Sequence, residues 1–484
     1  MPNLATAIKN LFIILLVCCL NTSVAHHLVF ENGYEPIDFC AIDTPQNEHS
    51  YFVSIDGLPS ATGTQQDPLD LATALSSSSP AQAGDTIWVA GGIYHGTFTS
   101  ELRGHDGAPI TIRPLPGEHV IIDSNIAQPT GSALTINGYW SIYRDFEVLS
   151  TNGNRISAFS GSNPTDIDLA GGLNIFASHI KVINFIIHDS SCGISFWRPA
   201  IDSELYGNII YNNGWSGPDR GHGHAIYTQN ETGTKRIENN IIFFGFGTGI
   251  HAYTEGGSIQ GFDILNNVWY QTGASDPRAS QRKDNCLVGG FQPVARLLLK
   301  NNQGWSLGRG TRIGYGGSVD NLDATFIDNY LAEGLWFAGN WNNLNLQNNH
   351  IYGDLINVDT GSFSNNVFLP EHPSNGTKVF IQPNKYDFSR ARLSIYNYAE
   401  QDSVLVDPSE FLKVGDGFEI RSVFDLNGSA IVSGFFDGTD ISIPMGTVIP
   451  PQPFGLDGGI SGDDDPGKKF ATFLIKRTSC SATP

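Results

Sequence analysis

One pattern recurs between residues 145 and 368. A polar residue, usually asparagine, stands immediately before a short β-branched or aromatic run. The instances are Asp145-Phe146, Asn184-Phe185-Ile186-Ile187, Asn208-Ile209-Ile210-Tyr211, Asn240-Ile241-Ile242-Phe243, Asn267-Val268-Trp269-Tyr270, Asn302, Asn329-Tyr330-Leu331, Asn349 and Asn366-Val367-Phe368. Successive instances are 39, 24, 32, 27, 35, 27, 20 and 17 residues apart. A period of roughly two dozen residues is the length of one solenoid coil built from three short strands and their turns. Asparagines at one turn of successive coils can bond to one another along the axis, which satisfies amides that would otherwise be buried unpaired. The long steps carry extra residues at about 151–170, 214–223 and 273–285. Insertions at one corner of successive coils stack into a wall, and a wall borders a groove.

Residues 51–123 add a second signature. It comprises Tyr51-Phe52-Val53-Ser54-Ile55-Asp56-Gly57, Gly63-Thr64, Asp67-Pro68-Leu69-Asp70-Leu71, a helical stretch at Leu71–Leu75, Gly84-Asp85-Thr86-Ile87-Trp88-Val89, Gly91-Gly92-Ile93-Tyr94, and Gly107-Ala108-Pro109-Ile110-Thr111-Ile112-Arg113-Pro114 with Gly117-Glu118. This opening resembles that of secreted proteins of the pectate-lyase-like superfamily. The resemblance implies an all-β chain, a right-handed parallel β-helix whose open N-terminal end is covered by a helical cap. It leaves the reaction open, because that superfamily holds lyases, hydrolases, epimerases and non-enzymatic adhesins.

The ends read differently. Residues 1–25 carry Lys9 as their one charge, then Leu11-Phe12-Ile13-Ile14-Leu15-Leu16-Val17 and small residues up to Ala25. This is a secretory signal pattern, so a secreted or periplasmic protein cut near Ala25 is expected, without a membrane span. Residues 26–50 form an N-terminal extension and 51–375 the β-helix. From Thr377 the alternating strands change character, and 376–484 reads as a small C-terminal β-sandwich, expected to cover the second open end of the solenoid, with sugar binding as the alternative. Export permits disulfides among Cys40, Cys192, Cys286 and Cys480, with three possible pairings.

Two kinds of residue point to chemistry. Strand alternation puts Ile194, Phe196, Ile226, Ile250 and Ala252 inside the solenoid, and Ser195, Trp197, Tyr227, Gln229, His251, Tyr253 and Glu255 outside. Counted back from the ladder asparagines, Trp197, Tyr227, Tyr253 and Tyr315 fall at similar offsets, so they are expected to form one outer aromatic row. Flat rings suit the apolar faces of sugars. His222 and His224 lie on the second insertion and His251 on the next coil, three imidazoles available as acid or base.

The formal net charge is −21, which argues against nucleic-acid binding. Yet from Arg278 to Ser318 seven bases (Arg278, Arg282, Lys283, Arg296, Lys300, Arg309 and Arg312) face a single acid, Asp284. A basic belt beside an aromatic row suggests a polyanionic polysaccharide. Abstraction of the proton α to a uronate carboxyl needs a base and a cation to hold the developing charge. The catalytic candidates are therefore His222, His224, His251, Tyr227, Arg282 and Lys283. The substrate-binding candidates are Trp197, Arg198, Gln229, Tyr253, Glu255, Arg278, Arg312 and Tyr315. The expected function is a polysaccharide lyase acting by β-elimination, as a monomer. A glycoside hydrolase, a C-5 epimerase or a non-catalytic carbohydrate-binding protein would use the same fold. No cofactor is expected. Calcium is compatible with the class, but no ligand set is identifiable in the sequence.

Overall fold

The computed structural model describes residues 49–126, 131–277, 283–306, 310–456, 460 and 465–480. The expected signal segment, nearly all of the extension, Arg278 and Arg282 lie outside the described residues.

The chain is a right-handed parallel β-helix. Each coil lays one strand in each of three long parallel sheets, of 11, 11 and 10 strands. One coil runs Lys235–Glu238 in the first sheet, Ile241–Phe243 in the second and Ile250–Ala252 in the third. Ile259–Leu265 then returns to the first sheet. Parallel pairing repeats in register, so like residues stack. Ile194, Ile226, Ile250 and Cys286 form one inward column of the third sheet, fully buried. Leu205, Ile237, Ile264 and Leu299 do the same beneath the first.

The turn between the first and second sheets explains the recurring asparagines. Its first residue is left-handed in coil after coil: Asp145, Asn184, Gly207, Asn239, Asn266, Asn301, Asp328 and Asn348, with φ between 54° and 68°. Glycine, asparagine and aspartate are the residues that enter this region at low cost. The second residue is the ladder. Asn240 Oδ1 accepts from Asn208 N (3.0 Å) and Asn208 Nδ2 (2.9 Å). Asn240 Nδ2 donates to Asn267 Oδ1 (2.9 Å) and to Leu205 O (3.0 Å). The same bonds continue through Asn302, Asn329, Asn349 and Asn366. Each buried amide thus uses both donors and both acceptor positions. Asp145 and Asn184, counted in the ladder from sequence, occupy the left-handed position instead. Phe146 and Phe185 hold the ladder place there, rings 5.5 Å apart. The amide ladder begins at Asn208, which accepts from Phe185 N at 2.9 Å.

Near the N-terminal end, the helix Leu71–Leu75 is capped by Asp70 and buries Leu71, Ala74 and Leu75 in the main core. It lies against Phe98–Ser100, the edge strand of the third sheet. The C-terminal residues form a five-stranded antiparallel sheet and a two-stranded one around a shared apolar core. Their position corrects the expectation of an end cap, because they pack along the flank of the solenoid. Outside the second sheet, His188, Tyr211, Phe243 and Tyr270 stack at 4.7, 5.0 and 5.2 Å with planes within 6° of parallel. Phe424 and Phe470 cover this apolar stripe, Tyr396 donates to Gly304 O (3.1 Å), and Lys385 bridges Glu204 and Glu238. Leu355, Val358, Phe363 and Phe368 close over the main core in the last coils. Cys192 and Cys286 are free thiols, and Cys480 is disulfide-bonded. Among the described residues no helix is long and apolar enough to cross a membrane.

His188 sits at the head of the aromatic stack, fully enclosed. Its Nδ1 meets Asp189 Oδ2 at 2.8 Å and its Nε2 meets Glu147 Oε1 at 2.9 Å. Arg155 supports Asp189 at 3.2 Å, and His119 reaches Glu147 at 2.7 Å. Burial pushes His188 down, but the bonds to Asp189 and Glu147 outweigh it and hold the imidazolium to about 9. Burial pushes Glu147 up, but His119 and His188 bring it down to about 2.

Two predictions concern this architecture. Asn267→Ala removes the acceptor of Asn240 N and of one Asn240 Nδ2 hydrogen and the donor to Ile237 O and Asn302 Oδ1, and is expected to cost about 2–4 kcal/mol in denaturant unfolding. One residue earlier the demand is conformational: Asn266→Gly should be nearly neutral, whereas Asn266→Val should cost about 1–2 kcal/mol. The second concerns pH. The stabilisation from His188 is complete below about pH 6.5, the ordinary histidine value, and is lost as pH rises through 9. The glutamate share is complete above about pH 4.5 and lost as pH falls towards 2. Thermal melts should therefore fall from pH 6.5 to 9 by the equivalent of ~3 kcal/mol, and His188→Gln should flatten that slope.

Candidate functional site

The sequence-predicted site residues lie mostly on the outer face of the third sheet and at the corners beside it. The central outward residues of that sheet are in register: Asn174, Ser195, Tyr227, His251, Leu287, Arg312 and Trp336. The alternation read from sequence holds, since Ile194, Phe196, Ile226, Ile250 and Ala252 are fully buried between them. Successive members of the row are about 4.8 Å apart, the spacing of paired strands.

The insertions do build a wall at the corner entering this sheet. Ser216 N donates to Arg155 O and Ser157 N to Ser216 O, both at 2.8 Å, which ties the first insertion to the second. Ser216 Oγ donates to Asp276 Oδ1 at 2.8 Å, tying the second to the third. Within the second, Trp215–Ser216 pairs antiparallel with Gly221–His222. His222 belongs to this wall. Its ring stacks on Trp215 (5.2 Å, 9°), its Nε2 meets Asp219 Oδ1 at 3.0 Å, and its side chain is 2% exposed.

His224 and His251 meet on the outer face of the third sheet, beside this wall. His251 Nδ1 and His224 Nε2 are 3.0 Å apart, with ring centres at 4.2 Å. The Tyr227 ring lies 5.7 Å from each. Burial pushes His224 down to about 3, the Thr248 carbonyl partly opposing it, with the charges of Arg220 and Lys283 adding to the fall. Burial, His224, Arg220 and Arg312 take His251 well below its ordinary value. The pair is therefore neutral near pH 7, in a field set by Arg220, Lys283 and Arg312. Arg220, which sequence reasoning missed, pairs with Asp219 at 3.1 Å.

Aromatic groups lie on both sides of this pair. Trp197 stacks on Phe176 (6.0 Å, 5°), meets the edge of Tyr227 (5.6 Å) and donates to Asn174 Oδ1 (3.0 Å). In the other direction Tyr253 contacts His251, Phe291 and Tyr315. The Arg312 guanidinium lies over Tyr315 at 4.5 Å and over Trp336 at 4.0 Å, and donates to Tyr315 O. Gln229 Nε2 donates to the Tyr227 hydroxyl, which donates to Tyr253 O, both at 3.2 Å.

The expected single row of Trp197, Tyr227, Tyr253 and Tyr315 is not what forms. Tyr227 shares the central row with Ser195 and His251, while Trp197 and Tyr253 lie two residues further along and Tyr315 three beyond Arg312. Offsets counted from the asparagine include corner loops of unequal length, so they do not give strand register. Arg198 pairs with Glu231 at 3.4 Å, both more than half exposed. Glu255 is exposed, and its charge holds the Tyr227 and Tyr253 hydroxyls slightly more protonated. Phe176, Phe291 and Trp336 were also missed; only the strand register brings them to the groove. Among the described residues no three His, Cys, Asp or Glu side chains are grouped to hold a metal ion.

No protein-family model and no curated protein matches the chain. Solved structures similar to it include a pectate lyase (15% identity, covering 64% of this chain and 80% of that one, TM-score 0.42). A rhamnogalacturonan lyase is similar at 13% identity, 67% and 85% coverage and TM-score 0.43. A GH136 lacto-N-biosidase from Eubacterium ramulus is similar at 13% identity, 67% and 67% coverage and TM-score 0.34.

The two histidine environments predict opposite pH responses. His224 and His251 have lowered values in the folded protein, so their stabilisation is complete above about pH 6.5 and drains as pH falls towards 3. A His224→Gln, His251→Gln double variant should lose less stability than the native chain between pH 6.5 and 4 in thermal melts.

Proposed function

We propose that the outer face of the third sheet is the active site of a polysaccharide lyase acting on an anionic, uronic-acid-containing chain. The observation that carries this reading is the neutral His224–His251 pair set among Arg220, Lys283 and Arg312 on a face lined with aromatic rings. A base must be unprotonated at working pH, and burial keeps both imidazoles so. With the His224 proton on Nδ1, its Nε2 accepts from His251 Nδ1–H. That leaves the lone pair of His251 Nε2 for the substrate.

The step then balances as follows. His251 Nε2 takes the proton α to the uronate carboxyl, and the cations hold the enolate-like charge. The electron pair forms a carbon–carbon double bond, and the β glycosidic C–O bond breaks. The departing oxygen takes a proton from Tyr227, whose hydroxyl burial keeps protonated. Trp197 and Phe176 on one side, and Tyr253, Phe291 and Trp336 on the other, would support sugar rings flanking the broken bond.

The central row from Asn174 to Trp336 carries no carboxylate, and of the acids beside it Asp219 is engaged by Arg220 and His222 while Glu255 is exposed near Tyr253. A hydrolase needs two carboxyl groups flanking the bond. Incubation with alginate, pectate and glycosaminoglycans should raise the ultraviolet absorbance of unsaturated chain ends with at least one of them. His251→Ala should lower that rate about 100-fold or more while leaving the fold intact by circular dichroism. His222→Gln, inside the wall, should have a much smaller effect on rate. New reducing ends without absorbance would replace the lyase by a hydrolase. Changed sugar configuration without cleavage would indicate an epimerase, and retained binding alone a carbohydrate-binding protein.

A further inference from the structure

Burial brings the Lys235 amine down to about 6, but its Nζ faces three carbonyl oxygens, an acceptor set that only an ammonium with three N–H donors satisfies. Lys235 begins the strand Lys235–Glu238 of the first sheet, and its side chain is fully buried. Its Nζ donates to Phe196 O (2.8 Å), Trp197 O (2.5 Å) and Gln229 O (2.8 Å), and lies 4.1 Å from the centre of the Phe196 ring. Three donors meet three carbonyl oxygens, with a π face as the fourth neighbour. Burial is the influence acting on its basicity, in the downward direction, with no carboxylate charge opposing it. A buried ammonium without a counter-ion is costly unless fixed dipoles replace its water.

The stacking register shows that this position does not call for a charge in itself. The residues in line with Lys235 on the following coils are Phe262 and then Leu297, both buried in the apolar core. What differs at Lys235 is the neighbouring corner. There the carbonyls of Phe196, Trp197 and Gln229, from two successive coils, turn inward. Two of these residues border the groove. Trp197 stacks on Phe176, and Gln229 bonds the Tyr227 hydroxyl. Three convergent carbonyl oxygens and a ring face are surroundings that a partly dehydrated ammonium or potassium ion accepts.

We propose that Lys235 is a built-in monovalent cation. Its carbonyl cage positions the Trp197–Gln229 edge of the groove, and becomes a site for free ammonium or potassium once the side chain is cut back. Lys235 acts through these backbones and touches no substrate, so it is a positioning residue. The inference stands independently of which reaction the groove performs.

The test uses the full chain and ammonium, potassium and choline chlorides at equal ionic strength. Lys235→Ala should melt lower than the native protein and regain about 2–4 °C in ammonium or potassium relative to choline, which is too large for the cage. The native protein should show no such selectivity. Lys235→Met, of similar reach but neutral, should be destabilised and insensitive to the cation. The near-ultraviolet circular dichroism band that Trp197→Phe removes from the native protein should weaken in Lys235→Ala and return with ammonium. If Lys235→Ala folds only in the presence of ammonium or potassium, that selectivity is the same positive result. A Lys235→Met variant as stable as the native chain would overturn the proposal. So would equal melting of Lys235→Ala in all three salts, failure to fold in any of them, or rescue of melting without return of the Trp197 band.

Discussion

The structure depends on one two-residue turn. Its first residue takes a left-handed conformation that brings the chain round between two sheets. Its second hands an amide to the coil on either side. An asparagine buried in a solenoid is tolerable only if all of its hydrogen-bonding capacity is used, because an unmatched amide in that interior costs about as much as several apolar contacts supply. From Asn208 to Asn366 that condition is met coil by coil. The bonds require neighbouring turns to sit at strand spacing and in register. A coil that gains residues must therefore place them at another corner. Here they go to the corner between the second and third sheets, where they tie together as the wall beside the groove.

A fixed register makes each outward position a column, and the two decorated faces use their columns differently. On the second sheet the column His188, Tyr211, Phe243, Tyr270 is a nearly parallel pile of rings. So much apolar surface in one stripe is unfavourable in water, and the C-terminal domain lies along it. On the third sheet the column mixes Asn174, Ser195, Tyr227, His251, Leu287, Arg312 and Trp336, which no single apolar partner would match.

The ladder was legible because its chemistry is local. Asn240, Asn267, Asn302, Asn329 and Asn349 each precede a strand by one residue. Asp145 and Asn184 were misplaced because residues that favour the left-handed turn are the same types that form the ladder, and the two positions adjoin. The inward set from Ile194 to Ala252 was legible from alternation, which needs only a strand. The composition of the groove was not. Whether Tyr227 lies beside His251 or beside Tyr253 depends on register across loops of unequal length, and sequence spacing does not carry it. Phe176, Phe291, Trp336 and Arg220 were hidden for the same reason. The flank docking rests on contacts such as Tyr396 to Gly304 and Lys385 to Glu204, between segments far apart in the chain.

The histidines show how far residue type falls short of function. Three histidines clustered near the insertions looked equivalent in sequence, yet the fold gives them separate tasks. His222 is stacked and bonded within the wall, while His224 and His251 share one contact on the outer face of the third sheet. Another histidine that was not singled out, His188, lies between two carboxylates and is an imidazolium at neutral pH. His188 is buried and His224 and His251 are part-buried, and loss of water pushes all three downward, so burial alone does not sort them. The sorting comes from charge: carboxylates around His188, and arginine and lysine around the pair. An imidazolium locked between two acids has no lone pair to give, whereas a neutral imidazole in a cationic field keeps one available and resists acquiring a charge of its own. The basic residues near the pair therefore act on it in one direction: together with burial they keep both imidazoles neutral near pH 7, and they make it harder for either to take up a proton.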